Sequence, residues 1–201
     1  MAGIGEAMKD RAGNCRGRGS RALMSASGAV LLALLLALAP LTRAADINAM
    51  ASTIVVTFRQ ESVPVDAAFK RFSGHIDFDP AHPAAGHATL QVVTASLDLG
   101  SPAYAAELER AEWFNSALYP SATFVSTAFS AAGAGHLIVT GTFTLKGRAQ
   151  MLTVPVTVTR SGTATVFDGS LQLSRKYFSI GSADWNGVLD DIVRVRFHLV
   201  Q

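Results

Sequence analysis

The sequence predicts an all-β chain: a single antiparallel sheet of about eight strands closed into a barrel, with one or two short helical interruptions. Three observations predict it. Runs of Val, Ile, Thr and Phe recur at short, even spacing. Turn-forming residues separate the runs. Nearly every run has one apolar face and one face rich in Thr or charge, the pattern of a closed sheet with a greasy inside.

The first strand is Ile54–Phe58, with Ile54, Val56 and Phe58 sharing a face. Residues 60–66, which include Pro64, read as a loop or edge segment. In Phe69–Asp79, Phe72, Gly74, Ile76 and Phe78 point one way and Ser73, His75, Asp77 and Asp79 the other. Residues 80–86 form a turn, and Ala88–Leu97 is a strand whose alternation is blurred. Ser101-Pro102 opens a helix, with Ser as cap and Pro just inside the start. The helix runs through Ala- and Glu-rich residues to a bulky end at Trp113, Phe114, Leu118 and Tyr119, and Pro120 stops it.

Ala122–Phe129, carrying Phe124, is the next strand. Residues 136–146 alternate most clearly, with Leu137, Val139, Gly141, Phe143 and Leu145 on one face. A slip of one residue would turn that whole set outward, so the register is strongly specified. After Gly147, Leu152, Val154, Val156 and Val158 alternate with Thr153, Pro155, Thr157 and Thr159; Pro155 points to a sheet edge or a bulge. Phe167, Gly169, Leu171 and Leu173 define another inward face. A looped region over 175–187 carries Tyr177, Phe178, Ile180 and Trp185, and the last strand presents Val193, Val195, Phe197 and Leu199.

The amino terminus has a different character. Lys9, Arg11, Arg16, Arg18 and Arg21 precede an apolar run over 29–41 that ends at Thr42-Arg43-Ala44. That order is a secretory signal, with cleavage expected after Ala44. The run is shorter than the ~20 residues that span a bilayer, which weighs against a retained anchor. Residues 1–44 are therefore read as signal and 45–201 as one domain, exported to the periplasm of a bacterium. Six of the 17 basic and two of the 15 acidic residues lie in the signal, leaving 11 and 13. That balance offers nucleic acid no bulk attraction. Cys15, the single cysteine, also lies there, so residues 45–201 hold no disulfide, thiolate metal site or Cys nucleophile.

The run Phe69-Lys-Arg-Phe-Ser-Gly-His-Ile-Asp-Phe-Asp-Pro80 begins a series of six ordered segments. It is followed by Ser96-Leu-Asp-Leu-Gly100, then Glu112-Trp-Phe-Asn with Tyr119-Pro-Ser-Ala-Thr-Phe-Val-Ser-Thr127, then Val139-Thr-Gly-Thr-Phe-Thr-Leu-Lys-Gly147. Leu171-Gln-Leu-Ser-Arg-Lys-Tyr-Phe-Ser-Ile180 and Asp190-Asp-Ile-Val-Arg-Val195 complete it. In this order they resemble the YceI-like, polyisoprenoid-binding family over nearly all of 54–201. The resemblance implies a lipocalin-like barrel that holds an isoprenoid or similar lipid tail outside the cytoplasm. Three departures stand out. Ala67 takes a place where relatives often have Gly. Tyr177 and Ser179 replace a frequent Asp and Gly. The segment around Gln60 lacks a histidine that many relatives carry.

The candidate binding residues are the inward apolar set: Val56, Phe58, Phe72, Ile76, Phe78, Trp113, Phe114, Phe124, Leu137, Val139, Phe143 and Leu145, then Val154, Val156, Phe167, Leu171, Phe178, Val193, Val195 and Phe197. Such walls suit a long apolar tail, isoprenoid, quinone or fatty-acid-like, although the same side chains also suit a filled core. Gly74, Gly141 and Gly169, on the inward parity, favour free space inside. Arg175 and Lys176 are the head-group candidates, and Lys146 and Arg148 flank the Gly147 turn nearby. No cofactor is expected. His75, Asp77, Asp79, His82 and His87 are best read as a solvated face rather than a metal site, and no ordered nucleophile–base set or Gly-x-Ser-x-Gly elbow suggests an enzyme. A second reading is an interaction module that docks a membrane redox partner. It requires an exposed apolar patch around Trp113, Phe114 and Tyr119.

Overall fold

The computed structural model describes residues 45–201; the signal expected over 1–44 lies outside the described residues. Eleven strands form one sheet in which every ladder is antiparallel. In chain order they are β1 (Ala45–Asp46), β2 (Thr53–Gln60), β3 (Val63–Phe69), β4 (Phe72–Asp77), β5 (His87–Val93) and β6 (Leu97–Asp98), then β7 (Ser121–Ala131), β8 (His136–Leu145), β9 (Arg148–Ser161), β10 (Ala164–Ser174) and β11 (Ile192–Val200). The helix α1 (Pro102–Leu108) separates β6 from β7. The eight expected strands are all present. The three additional ones are β1, β3 and β6.

Each addition has a local cause. β3 pairs with β2 through a two-residue turn at Glu61 and Ser62, both at positive φ (49° and 68°). This hairpin conformation normally selects Asn or Gly, so the sequence carries no signal for it. Pro64 is tolerated because β3 is partnered on the other side only at Ala68 and Phe69, through β6. β1 and β6 have two residues each, too few for any periodicity to register.

The spatial order is β1-β4-β5-β7-β8-β9-β10-β11-β2-β3-β6. The seam between its two ends is closed twice. At one end the β5 chain turns through a short 3-10 segment (Thr94–Ser96) into β6 and crosses to β3. The Ser96 hydroxyl donates to Val93 O at 2.7 Å and accepts the Arg71 N–H at 3.1 Å. At the other end, β1 lies on β4, and the next residues bridge onward. Ile47 N–H donates to Gly74 O at 2.9 Å and Asn48 N–H to Val200 O at 2.7 Å. The Ser52 hydroxyl accepts the Val200 N–H at 2.9 Å, and the Gln201 amide donates to Ala45 O and Ile76 O.

Two irregularities adjust the wall. Pro155 is not on an edge strand, since β9 lies between β8 and β10. The edge condition is met locally, because the β9–β10 ladder stops at Val156–Gly169, one residue short of the proline. β7 carries a bulge at Thr127, between the pairs Ser126–Gly141 and Ala128–Thr140. The extra residue switches parity, so Phe124 and Phe129 both end on the inside. On the other side of β7, where the β5–β7 ladder ends at Thr89–Val125, the buried Ser126 hydroxyl accepts the Ala88 N–H at 2.8 Å.

Ser126→Ala leaves that N–H without a partner and is expected to lower the free energy of unfolding by ~1–3 kcal/mol. Urea denaturation of the purified domain measures it.

Candidate functional site

The inward faces do not meet at the barrel axis. They surround a cavity of about 600 Å³. Ile54, Val56 and Phe58 of β2 line it, with Ile76 of β4, Leu90 and Val92 of β5, and Phe124 and Phe129 of β7. Val139, Phe143 and Leu145 of β8, Val154 and Val156 of β9, and Phe167 and Leu171 of β10 continue the wall. Val193, Val195 and Phe197 of β11 complete it. Several of these inward side chains, including Phe124, Phe143, Leu171, Val195 and Phe197, are only partly buried. They belong to the core cluster and still border free space, which sets this interior apart from a filled core.

Three of the expected lining residues sit elsewhere. Leu137 is buried in the wall without reaching the cavity. Phe72 and Phe78 pack against the core from partly exposed positions. Phe78 braces the closed end: its ring lies 6.2 Å from that of Phe129 and 5.8 Å from that of Phe167. Phe129 was hidden from a parity reading by the Thr127 bulge. Leu90 was hidden by the blurred alternation of β5.

The glycines work differently from the expectation. None of Gly74, Gly141 or Gly169 borders the cavity. A Cβ built on Gly141 would overlap the Phe124 ring, one on Gly169 the Phe197 ring, and one on Gly74 the Ile47 side chain. The glycines are seats for neighbouring side chains, and the freed volume is already occupied.

The other end is the mouth. Among the lining residues, Gln60, Tyr104 and Asp190 are exposed, so the opening lies between the β2–β3 hairpin, α1 and the segment before β11. The bend after α1 caps the cavity beside it. Trp113 and Phe114 line the cavity and are 7% and 8% exposed. Trp113 packs edge-on to Trp185 at 5.1 Å, and the two indole N–H groups donate to Glu107 (3.3 Å) and Glu112 (2.9 Å). Tyr119, half-buried, lies over Gly147. Phe178, 1% exposed, stands edge-on to Phe143 at 5.4 Å.

Arg175 is not a free cation at this mouth. It borders the cavity but is only 6% exposed, and four of its N–H groups are committed to backbone carbonyls. Nε donates to Asp190 O at 3.0 Å, Nη1 to Ile180 O at 2.9 Å, and Nη2 to Trp185 O at 3.2 Å and Leu189 O at 3.0 Å. The loop 175–191 is wound around it, and this fork of donors is a geometry that arginine provides and lysine does not. Lys176 is exposed, and its side chain does not border the cavity. Lys146 donates to Ser179 O at 2.7 Å and to Glu112 O at 3.3 Å, and Arg148 donates to Tyr177 O at 2.7 Å. These two tie the β8–β9 hairpin to the same loop.

The acidic and histidine residues of the β4 region fall into separate pairs. His75 meets Asp46 at 3.2 Å, His82 meets Asp79 at 2.8 Å, and His87 lies 3.4 Å from the Ser126 hydroxyl. Among the described residues no group of three or more His, Cys, Asp or Glu converges.

An antiparallel barrel with an apolar cavity open at one end defines the lipocalin-like class of small-molecule binding folds. Within it, the chain belongs to the YceI-like family, whose model matches residues 46–201. It is 38% identical over 90 residues to protein YceI of Escherichia coli O157:H7, covering 45% of this chain and 44% of that protein. It is 33% identical over 86 residues to a UPF0312 protein of Shewanella sp. (strain ANA-3), covering 43% and 45%. The matched segment thus spans less than half of these relatives. The crystal structure of BcnA from Burkholderia cenocepacia is 39% identical, with a TM-score of 0.75 over 77% of this chain and 99% of that one. A polyisoprenoid binding domain from Saccharophagus degradans, implicated in plant cell wall breakdown, shares the fold at 21% identity. Its TM-score is 0.64, over 79% and 98% of the two chains.

Two outcomes at the mouth loop follow. Ser179 has a φ of 53°, a conformation costly for any residue with a Cβ. Ser179→Gly is expected to stabilise the protein by about 1 kcal/mol, read as a rise in melting temperature. The Asp191 carboxylate accepts the Ser174 hydroxyl (2.8 Å) and the Lys176 N–H (2.9 Å). Burial raises its pKa, but these hydrogen bonds and the Lys176 and Arg175 charges outweigh it, and the net shift is downward from 3.8. Its stabilising contribution is therefore complete above that value and is lost as the pH falls through the lower folded-state value. Acid titration of Asp191→Asn should lack this part of the wild-type decline.

Proposed function

We propose that the protein is an exported, non-enzymatic carrier or store that holds the long apolar tail of an isoprenoid-like lipid inside its barrel. The observation that carries this reading is the apolar cavity of about 600 Å³, whose exposed polar lining, Gln60 and Asp190, lies at the mouth. The volume falls within the range of small-molecule sites. Each tail methylene moved from water into it gains ~0.8 kcal/mol, so a tail needs few polar contacts to bind. The polyisoprenoid-binding description of the Saccharophagus degradans domain supports the isoprenoid class, and the signal-like sequence over 1–44 supports export to the periplasm with cleavage near Ala44. Peripheral contact with a membrane fits a lipid cargo that must enter at the mouth. The docking-module reading loses its requirement, because Trp113 and Phe114 are buried and Tyr119 is half-buried.

Solvent extraction and mass spectrometry of protein purified from its host should recover a tail-bearing lipid near one per chain. A quinone would revise the head group, a fatty-acid-like lipid would revise the tail class, and either would keep the carrier role. Protein that is repeatedly empty and does not take up lipid would overturn it. Phe143→Asp places a charge in the cavity wall and should abolish recovery of the lipid, whereas His75→Ala should leave it unchanged.

A further inference from the structure

The cavity has a closed end, and its depth rests on one side-chain seat. Phe129 and Phe167 form the floor, with the Phe78 ring braced against both. Just above it, Phe197 of β11 stands opposite Gly169 of β10 in the ladder. Both residues have inward parity, and the Phe197 ring lies over the Gly169 Cα, where a Cβ would otherwise project. Phe197 borders the cavity from this position and is only partly buried. A residue with a Cβ at 169 would drive the ring off its seat, and the free volume beside that ring is the lower cavity.

We propose that the Gly169–Phe197 seat is a specificity-determining feature that keeps the lower cavity open, so that tail length is measured from the mouth to the Phe129–Phe167 floor. This rests on the tail-binding reading above. The ligand class is thus an isoprenoid-like tail that reaches this floor, or a longer one whose remainder lies at the mouth.

Gly169 separates this role from general packing. A Cβ at Gly141 or Gly74 would also strike backbone, at Val125 O or Thr89 O. At Gly169 the three nearest atoms all belong to the Phe197 ring, a side chain able to turn, so Gly169→Ala leaves the backbone of the wall in place.

The test compares binding of geraniol, farnesol and geranylgeraniol, each one isoprene unit longer than the last, to lipid-stripped wild type, Gly169→Ala and Gly169→Ala/Phe197→Leu. Circular dichroism checks that each variant is folded. Wild-type affinity is expected to rise about tenfold or more with each unit. In Gly169→Ala the rise should stop at farnesol, so that geranylgeraniol gains less than twofold, and the double variant should restore the step. A Gly169→Ala profile that rises like the wild type, or a loss that Phe197→Leu does not restore, overturns the seat. A wild type that binds none of the three overturns the tail-binding reading itself.

Discussion

The wall of this barrel must be apolar enough to close the sheet and yet must not fill the space it encloses. Those demands pull in opposite directions. In an ordinary core, inward side chains interdigitate to near-crystalline density, and the packing itself supplies much of the stability. Here the inward rows stop short of one another, and Phe143, Leu171 and Phe197 keep surface exposed to a cavity. Stability must therefore come from the wall. The sheet is continuous from β1 around to β6, and side-chain hydroxyls complete its hydrogen bonding where ladders end: Ser52 and Ser96 at the seam, Ser126 beyond the last β5–β7 pair.

The same constraint explains how the mouth is built. A loop of 17 residues between β10 and β11 has little core to rest on beside an open cavity. It is organised instead from within, by the Arg175 guanidinium and its four carbonyl partners, and is tied down from outside by Lys146 and Arg148. Charged residues that look like ligand contacts in the sequence thus serve the frame around the opening. The aromatic bend at Trp113 and Phe114 completes that frame, and its two tryptophans are oriented by carboxylates rather than by close packing alone.

Much of this was legible in the sequence, because strand periodicity is a strong signal when one face is apolar. Residues 136–145 show it best: Val139, Phe143 and Leu145 reach the cavity as their parity requires. What the sequence does not reveal is whatever breaks the period or lacks a side-chain signature. The Thr127 bulge moves Phe129 to the inside against its apparent parity. The β2–β3 turn uses Glu61 and Ser62 where Asn and Gly are normal, so the sequence leaves β3 open between a loop and an edge segment. The inward glycines suggested space, but space beside a glycine goes to the nearest ring that can reach it. The burial of Arg175 follows from carbonyls on residues up to 15 positions away, which no local pattern reveals.

The closing seam bears on the order in which the barrel can form. From β7 to β11 each strand pairs with its neighbour in sequence, so this half of the wall assembles from local contacts. The β2–β11 ladder and the contacts of Ser52 with Val200 and of Gln201 with Ala45 join residues about 140 or more positions apart. Contacts of such separation carry the largest loop-closure cost and form late. Until they form, the β2 and β11 edges stay unpaired and the apolar lumen stays open along its length. A chain that has been synthesised but not yet zipped at its last strand is therefore the species most exposed to aggregation, and a tail already lying in the trough would lower that exposure.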